Sequence, residues 1–391
     1  MNKIESLYED FLQNRETEGL KRELTDIERS KGRKMTVEGR DYINFSGNDY
    51  LGLSQHPALI ERAQEWAEKY GAGSGASRLV TGNLDIFTSL EGKIAALKGH
   101  EAALVMVSGY QANASVLPAL FDKKILGVAP LVFSDKLNHA SMHAGCAVAG
   151  IQQIRYRHND MAHLKELLEN HDESDVPKFI LTESVFSMDG DIAPLDEIDA
   201  LAKRHNCFVI VDEAHATGVL GQNGKGLADK ADLVIGTFSK ALGAFGAYIA
   251  CSKRLKEYLI NKCSGLIYAT ALPPGVLGSI DAAIDLIPIM DKERAYLYNI
   301  SQNFRQEISS FGFNCGESQT QIIPLIIEES NEALYFSDAL KSQGLWATAI
   351  RPPTVPNHSA RIRFAFSVMH TETDIEKLLH ILKKIQQKKA A

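Results

Sequence analysis

From about residue 100 onward, short apolar runs rich in β-branched residues recur between longer amphipathic stretches: Ala103 to Val107, Leu131 to Phe133, Phe179 to Leu181, Phe208 to Val211, Leu233 to Ile235 and Tyr248 to Ala250. Runs that are apolar throughout, rather than alternating, belong to strands covered on both faces, so the pattern predicts an α/β fold with a mostly parallel central sheet flanked by helices. Between them, Leu59 to Tyr70 reads as a helix. Asp85 to Leu97 places Ile86, Leu90, Ile94 and Leu97 near one helical face, with Gly99 where a left-handed cap would end it.

The two ends read differently. Residues 1 to about 40 are charge-dense and helix-like, and Tyr42 to Ser46 then alternates as a short strand does. Pro273-Pro274 interrupts the α/β pattern and long helical stretches follow. A second region is built on Ile322 to Ile327, Trp346 to Ile350 and Ile362 to Phe366, ending in a helix over Ile375 to Ile385. The expected organisation is an N-terminal helical arm (1–45), a large domain (46–280) and a smaller α+β C-terminal domain (281–391). No repeat of 20 to 50 residues interrupts it, which removes solenoids and propellers.

Composition narrows the class. The chain has 391 residues, 45% hydrophobic and 23% charged, with a net charge of −7, the values of a globular protein rather than a disordered one. A mildly acidic chain without a basic block predicts no nucleic-acid partner. No apolar run approaches the roughly 18 residues of a membrane span, and the five cysteines are odd in number and never form C-x-x-C. With a polar, acidic start, the expectation is a cytoplasmic protein that does not engage membranes.

Ligands of open parallel sheets gather beyond the carboxyl ends of strands, and four such exits carry chemistry here. Phe208 to Val211 opens into Asp212-Glu213-Ala214-His215, where a carboxylate leaving a buried strand calls for a cationic partner. Leu233 to Ile235 opens into Gly236-Thr237-Phe238-Ser239-Lys240, whose amine, partly desolvated, suits a nucleophile. Ser108-Gly109-Tyr110 begins a helix whose N–H groups suit a phosphate. Asn138-His139-Ala140-Ser141 sets an imidazole at a strand-to-helix junction.

Rival motifs fall short. Gly71 to Ala76 imitates a dinucleotide fingerprint but follows a helix instead of a strand, and Gly224-Lys225-Gly226 lacks the spacing of a phosphate loop. His139 and His143 stand four apart without the glutamate of a metalloprotease helix, so no metal is expected. A serine/lysine hydrolase needs S-x-x-K, whereas Thr237-Phe238-Ser239-Lys240 offers threonine. An imine-forming lysine, a carboxylate for a ring nitrogen, a flat group for the ring face and helix-end amides for a phosphate together point to pyridoxal 5′-phosphate.

The runs Asn44 to Leu53, Gly73 to Arg78, Asn138 to Ser141, Val185 to Asp191, Asp212 to His215 and Thr237 to Lys240 resemble those of the α-oxoamine synthases. These are fold-type I pyridoxal-phosphate enzymes that condense an amino acid with an acyl thioester and release carbon dioxide. The resemblance implies that Lys240 links to the cofactor and then moves the substrate α-proton. It further implies that Asp212 pairs with the ring nitrogen, His139 stacks on the ring, Ser187 and His215 bind its phenolic oxygen, and Thr237 with the Gly109 and Tyr110 backbone holds the phosphate. Arg351 is expected to grip the amino-acid carboxylate, with Thr354, Asn48 and Arg22 also toward substrate and Lys21 competing with Arg22. Thr348 to Pro356 is most similar to members that join L-alanine to a pimeloyl thioester, carried by coenzyme A or a carrier protein; glycine-using members are the alternative, and a catalytically silent binding protein the non-enzyme one. Homodimers are the family's habit, with Thr270 in the segment that reaches the neighbour's phosphate.

Overall fold

The computed structural model describes residues 2–172 and 175–390. The chain divides into two compact units, one of Asn48–Tyr298 and one of Met1–Gly47 with Asn299–Ala391.

The Asn48–Tyr298 unit is built on a seven-stranded sheet. Its spatial order is Ala102–Met106, Ala247–Cys251, Leu233–Thr237, Cys207–Asp212, Lys178–Glu183, Leu131–Asp135 and Ile154–Tyr156. Only Ala247–Cys251 runs against its neighbours. The apolar cores of the expected strands are present, and most are longer than expected at their carboxyl ends. Asp135, Glu183, Asp212 and Thr237 are each the last residue of a strand, so the chemistry-bearing side chains are held by sheet hydrogen bonds rather than by loops. The strand Ile154–Tyr156 lies outside the expected ones, because three residues preceded by two glutamines, interrupted by Arg155 and followed by Arg157 carry no apolar run. The helix Ile86–Lys98 buries Ile86, Leu90 and Ile94 and ends at Gly99 in the left-handed region, as its spacing predicts.

The other unit holds a three-stranded antiparallel sheet, Ile322–Glu328, Ala360–Ala365 and Thr348–Ile350, and a four-stranded sheet over Arg29–Lys31, Lys34–Val37, Arg40–Asn44 and Leu345–Trp346. Two expectations need correction. The opening helix covers only Lys3–Thr17, after which Gly19, Gly32 and Gly39 take positive φ and turn the chain into strands. The run Trp346 to Ile350 is not one strand: the Ala347 carbonyl accepts from Ser337 Oγ at 2.7 Å, which takes it out of the ladder, and the residues on either side join different sheets. No helix among the described residues is long and apolar enough to cross a membrane.

In this unit His370 is buried, stacked on Phe45 with ring centroids 4.2 Å apart, its Nδ1 accepting from Ser367 N–H and its Nε2 set 3.0 Å from the Asn44 carbonyl. Burial pushes its pKa down to about 4. An unfolded histidine binds its proton near pH 6.5, so the stability contributed by the neutral ring is fully present above that pH and is lost as pH falls toward about 4, amounting to about 3 kcal/mol. Denaturant titrations from pH 7 to pH 4 should show this slope, and H370Q should flatten it; an equally steep H370Q profile would refute the assignment.

Candidate active site

Within the Asn48–Tyr298 unit, Asp212 and Glu183 are directly opposite on neighbouring strands, and Asp212 pairs across with Ile235, two residues before the strand end at Thr237. Lys240 follows that end by three residues. Its turn closes through Gly243, whose φ is +63° and where a Cβ would overlap the Leu53–Ser54 backbone, so only glycine lets the turn pack there.

Lys240 Nζ lies 2.9 Å from His215 Nε2, and His215 Nδ1 lies 2.7 Å from the buried Tyr50 hydroxyl. Because the Tyr50 hydroxyl donates to Asn48 Oδ1 at 3.0 Å, its oxygen accepts from His215 Nδ1–H. That leaves Nε2 unprotonated to accept from Lys240. The order Lys240 to His215 to Tyr50 to Asn48 is therefore a directed chain of hydrogen bonds that fixes where the amine sits.

A second chain supports the carboxylate. Asn113 Nδ2 donates to Asp212 Oδ2 at 2.7 Å and to Ser141 Oγ at 3.0 Å, while Ala214 N–H donates to Asp212 Oδ1 at 2.9 Å. Ser141 Oγ lies 2.7 Å from His139 Nδ1, and Ser141 N–H also donates to that nitrogen. Nδ1 is thus the acceptor, and a neutral ring carries its proton on Nε2. His139 remains accessible, but the desolvation its ring does suffer lowers its pKa, Asp212 opposing and Lys240 adding to the effect. Its backbone N–H donates to Glu183 Oε1 at 2.5 Å. The Glu183 carboxyl is pushed well above the usual range, by burial first and then by the Asp212 charge beside it.

Glu213 does not join this group. Strand alternation turns it to the opposite face, where it is buried against Lys98 and accepts the Leu227 and Ala228 N–H groups. It anchors the following loop.

The helix Gly109–Leu120 starts beside this cluster, capped by Ser108 Oγ accepting from Gln111 N–H. A Cβ placed on Gly109 would lie 3.8 Å from the Thr237 Cβ, so the first helical N–H groups and the Thr237 hydroxyl stand together. Ser187 lies in the turn closed by Gly190 N–H to the Phe186 carbonyl, 2.9 Å. Thr270 is exposed and bridges Ser77 across an isolated antiparallel pair.

Of the expected residues, Lys240, His215 and Asn48 thus share one hydrogen-bond chain, Asp212 and His139 share the other, and Gly109 stands beside Thr237. Arg22, Arg351 and Thr354 belong to the other unit, where they line a groove of about 570 Å³. There Arg22 donates to Thr354 Oγ1 at 3.1 Å and Arg351 to the Gly19 carbonyl, while Lys21 is engaged by Glu16 and Glu23. Tyr50, Asn113, Ser141 and Glu183 have no role assigned from the sequence, although Tyr50 and Ser141 stand inside the runs Asn44 to Leu53 and Asn138 to Ser141. Glu183 was open to discovery by the same strand-exit argument, and Asn113 lies one helical turn past Gly109; Tyr50 contacts a residue 165 positions away and carries no strand-exit signal.

A family profile described as aminotransferase class I and II matches residues 40–382. The chain belongs to that family. As a class I and II member it is 49% identical over 387 residues to 8-amino-7-oxononanoate synthase of Gluconacetobacter diazotrophicus, covering 98% of this chain and 97% of that one. Serine palmitoyltransferase from S. paucimobilis, solved with bound PLP–myriocin aldimine, superposes with a TM-score of 0.91 at 27% identity over 99% of this chain and 98% of that one. The 8-amino-7-oxononanoate synthase from Francisella tularensis does so with 0.77 at 27% identity, over 90% and 99%. The fold is the fold-type I transferase fold. Its site residues fit the cofactor of such enzymes: a half-buried amine at one strand exit, a buried carboxylate already oriented by two donors at the next, and a helix start with a hydroxyl for an anionic group.

Proposed function

We propose that the chain is a pyridoxal-phosphate-dependent acyltransferase that condenses L-alanine with a pimeloyl thioester to give 8-amino-7-oxononanoate, carbon dioxide and free thiol. The observation that carries this is the Lys240–His215 and Asp212–Asn113 pair of networks at neighbouring strand exits, in a chain matching a synthase of that name at 49% identity over nearly its full length.

Bound pyridoxal phosphate supplies a cationic ring that draws electron density from the amino acid's α-carbon. Asp212, held by Asn113 and Ala214, keeps the ring nitrogen's proton in place by ion pairing. The Gly109 and Tyr110 N–H groups and Thr237 take the phosphate, with Thr270 of a second copy in a homodimer. His139 would cover the ring face, with its Nε2–H left to donate. His215 and Ser187 hold the phenolic oxygen, and His215 also steers Lys240. The Lys240 amine removes the α-proton and keeps it; the freed electron pair forms the bond to the thioester carbonyl carbon, and the carbon–sulfur bond breaks with the thiolate taking a proton from water. The alanine carboxylate then leaves as carbon dioxide, and Lys240 returns a proton to the same carbon.

Arg351 is assigned to the alanine carboxylate, with Arg22, Thr354 and Asn48 also toward substrate. A guanidinium makes two parallel bonds to a carboxylate that an ammonium cannot reproduce, so R351K should raise the KM for alanine about tenfold or more while the melting temperature stays put. An unchanged KM would remove Arg351 from the role. We place the enzyme in the cytoplasm, since all five cysteines are free thiols.

The deciding experiment is thiol release from pimeloyl-CoA by the pyridoxal-phosphate-loaded protein, with L-alanine and glycine compared side by side. Release with alanine and little with glycine is expected. Release with glycine alone would favour the glycine-using members, and none with either would overturn the donor.

A further inference from the structure

His158 lies outside every group assigned so far, yet it touches two of the segments that carry them. Its Nδ1 is 3.0 Å from Asp135 Oδ1 and its Nε2 is 2.7 Å from Asp191 Oδ2. Both carboxylates are buried. With an acceptor at each ring nitrogen, both nitrogens donate, and the ring is an imidazolium. Burial alone would lower its pKa, but the two carboxylates override this and raise it to about 10.

Each carboxylate has a further duty. Asp135 ends its strand, and its Oδ1 accepts the Leu137 N–H at 2.8 Å, closing the turn that delivers His139. Its Oδ2 accepts the Asn159 N–H at 2.9 Å. Asp191 lies on the far side of the turn that holds Ser187: Phe186 N–H donates to the Asp191 carbonyl at 3.1 Å, and Val185 bridges Ile192. Asn159 Nδ2 donates to the same Asp191 Oδ2 at 2.7 Å. The His158 ring also meets the face of Phe186 edge-on, with centroids 4.4 Å apart and planes at 87°, one residue before Ser187.

We infer that His158 is a positioning residue for the cofactor pocket, a single imidazole that ties the turn carrying His139 to the loop carrying Ser187. The inference rests on the pyridoxal-phosphate reading, in which His139 covers the ring and Ser187 binds its phenolic oxygen. A change at His158 acts through these two residues and leaves Lys240 and Asp212 in place.

The test is the affinity of the cofactor-free protein for pyridoxal phosphate, followed by absorbance, in wild type, H158Q and the double variant H158Q/D191N. H158Q keeps a donor but leaves two buried carboxylates facing one neutral amide. In the double variant the second carboxylate becomes an amide that donates to the introduced glutamine and, once the Asn159 amide turns its unpartnered oxygen toward it, to Asn159 as well, which restores both bridges and the original net charge of the cluster. H158Q should bind pyridoxal phosphate at least about tenfold more weakly, with the double variant recovering most of that loss. H158Q binding as tightly as wild type overturns the inference, as does a folded double variant no better than H158Q. Should H158Q not fold, the double variant alone decides: affinity within tenfold of wild type supports the bridge, and a larger loss at an unchanged melting temperature overturns it. A wild-type protein that binds no pyridoxal phosphate would instead remove the cofactor reading, which the variants cannot be blamed for.

Discussion

Replacing Lys240 with alanine is expected to lower alanine-dependent thiol release by a thousandfold or more, with the protein still folded. The size follows from the two duties of one amine: it holds the cofactor covalently, and it moves the α-proton, a step worth about 10²- to 10⁴-fold when a positioned group performs it. The fold should tolerate the change. Lys240 is only half-buried, and its partner His215 keeps the Tyr50 hydroxyl at 2.7 Å when the amine is gone. Wild-type and K240A proteins should therefore melt within a few degrees of each other, while K240A loses pyridoxal phosphate on dialysis. Lysine-to-arginine should not rescue it, because a guanidinium neither forms the covalent link nor gives up a proton near neutral pH. A K240A protein that turned over at the wild-type rate would sink the mechanism.

The residues behind this expectation were legible for a physical reason. A parallel strand buried on both faces must be apolar along its length, so the first polar residue after it is conspicuous. Asp212 stands out in this way at once, and Lys240, His139 and Gly109 lie within a few residues of such exits. Glu183 follows the same rule, but the apolar run Phe179 to Leu181 marks only part of its strand, and the two polar residues that complete it, Thr182 and Glu183, are paired with Val211 and Asp212. Asp212 and Glu213 look equivalent in the sequence; only strand alternation, visible once the strand's end is fixed, sends one to the site and the other to Lys98. Tyr50 and His158 act through partners from distant segments or several loops at once, and no apolar run or strand exit marks them. The break at Ala347 is of the same kind, since a hydroxyl from another helix decides it.

Asp212 is where the second large effect is expected. Its two oxygens are already oriented by Asn113 Nδ2 and Ala214 N–H before any ligand arrives, so in the resting protein the carboxylate spends no energy on reorganisation when a protonated ring nitrogen meets it. An asparagine at this position keeps the volume and removes the charge, and its amide can turn only one acceptor oxygen to the donors that now serve two. D212N should keep its cofactor, because Lys240 still anchors it, but thiol release should fall by roughly a thousandfold through kcat, with the KM for alanine changed far less. That split separates loss of the electron sink from loss of substrate binding. D212E restores the charge but lengthens the side chain, and with Asn113 and Glu183 packed around the position it should recover only part of the rate. The steady-state constants of D212N and D212E at saturating pyridoxal phosphate check this. D212N with a wild-type kcat would show that the charge on Asp212 is not what stabilises the reacting carbon, and the network around it would have to be read as scaffold alone.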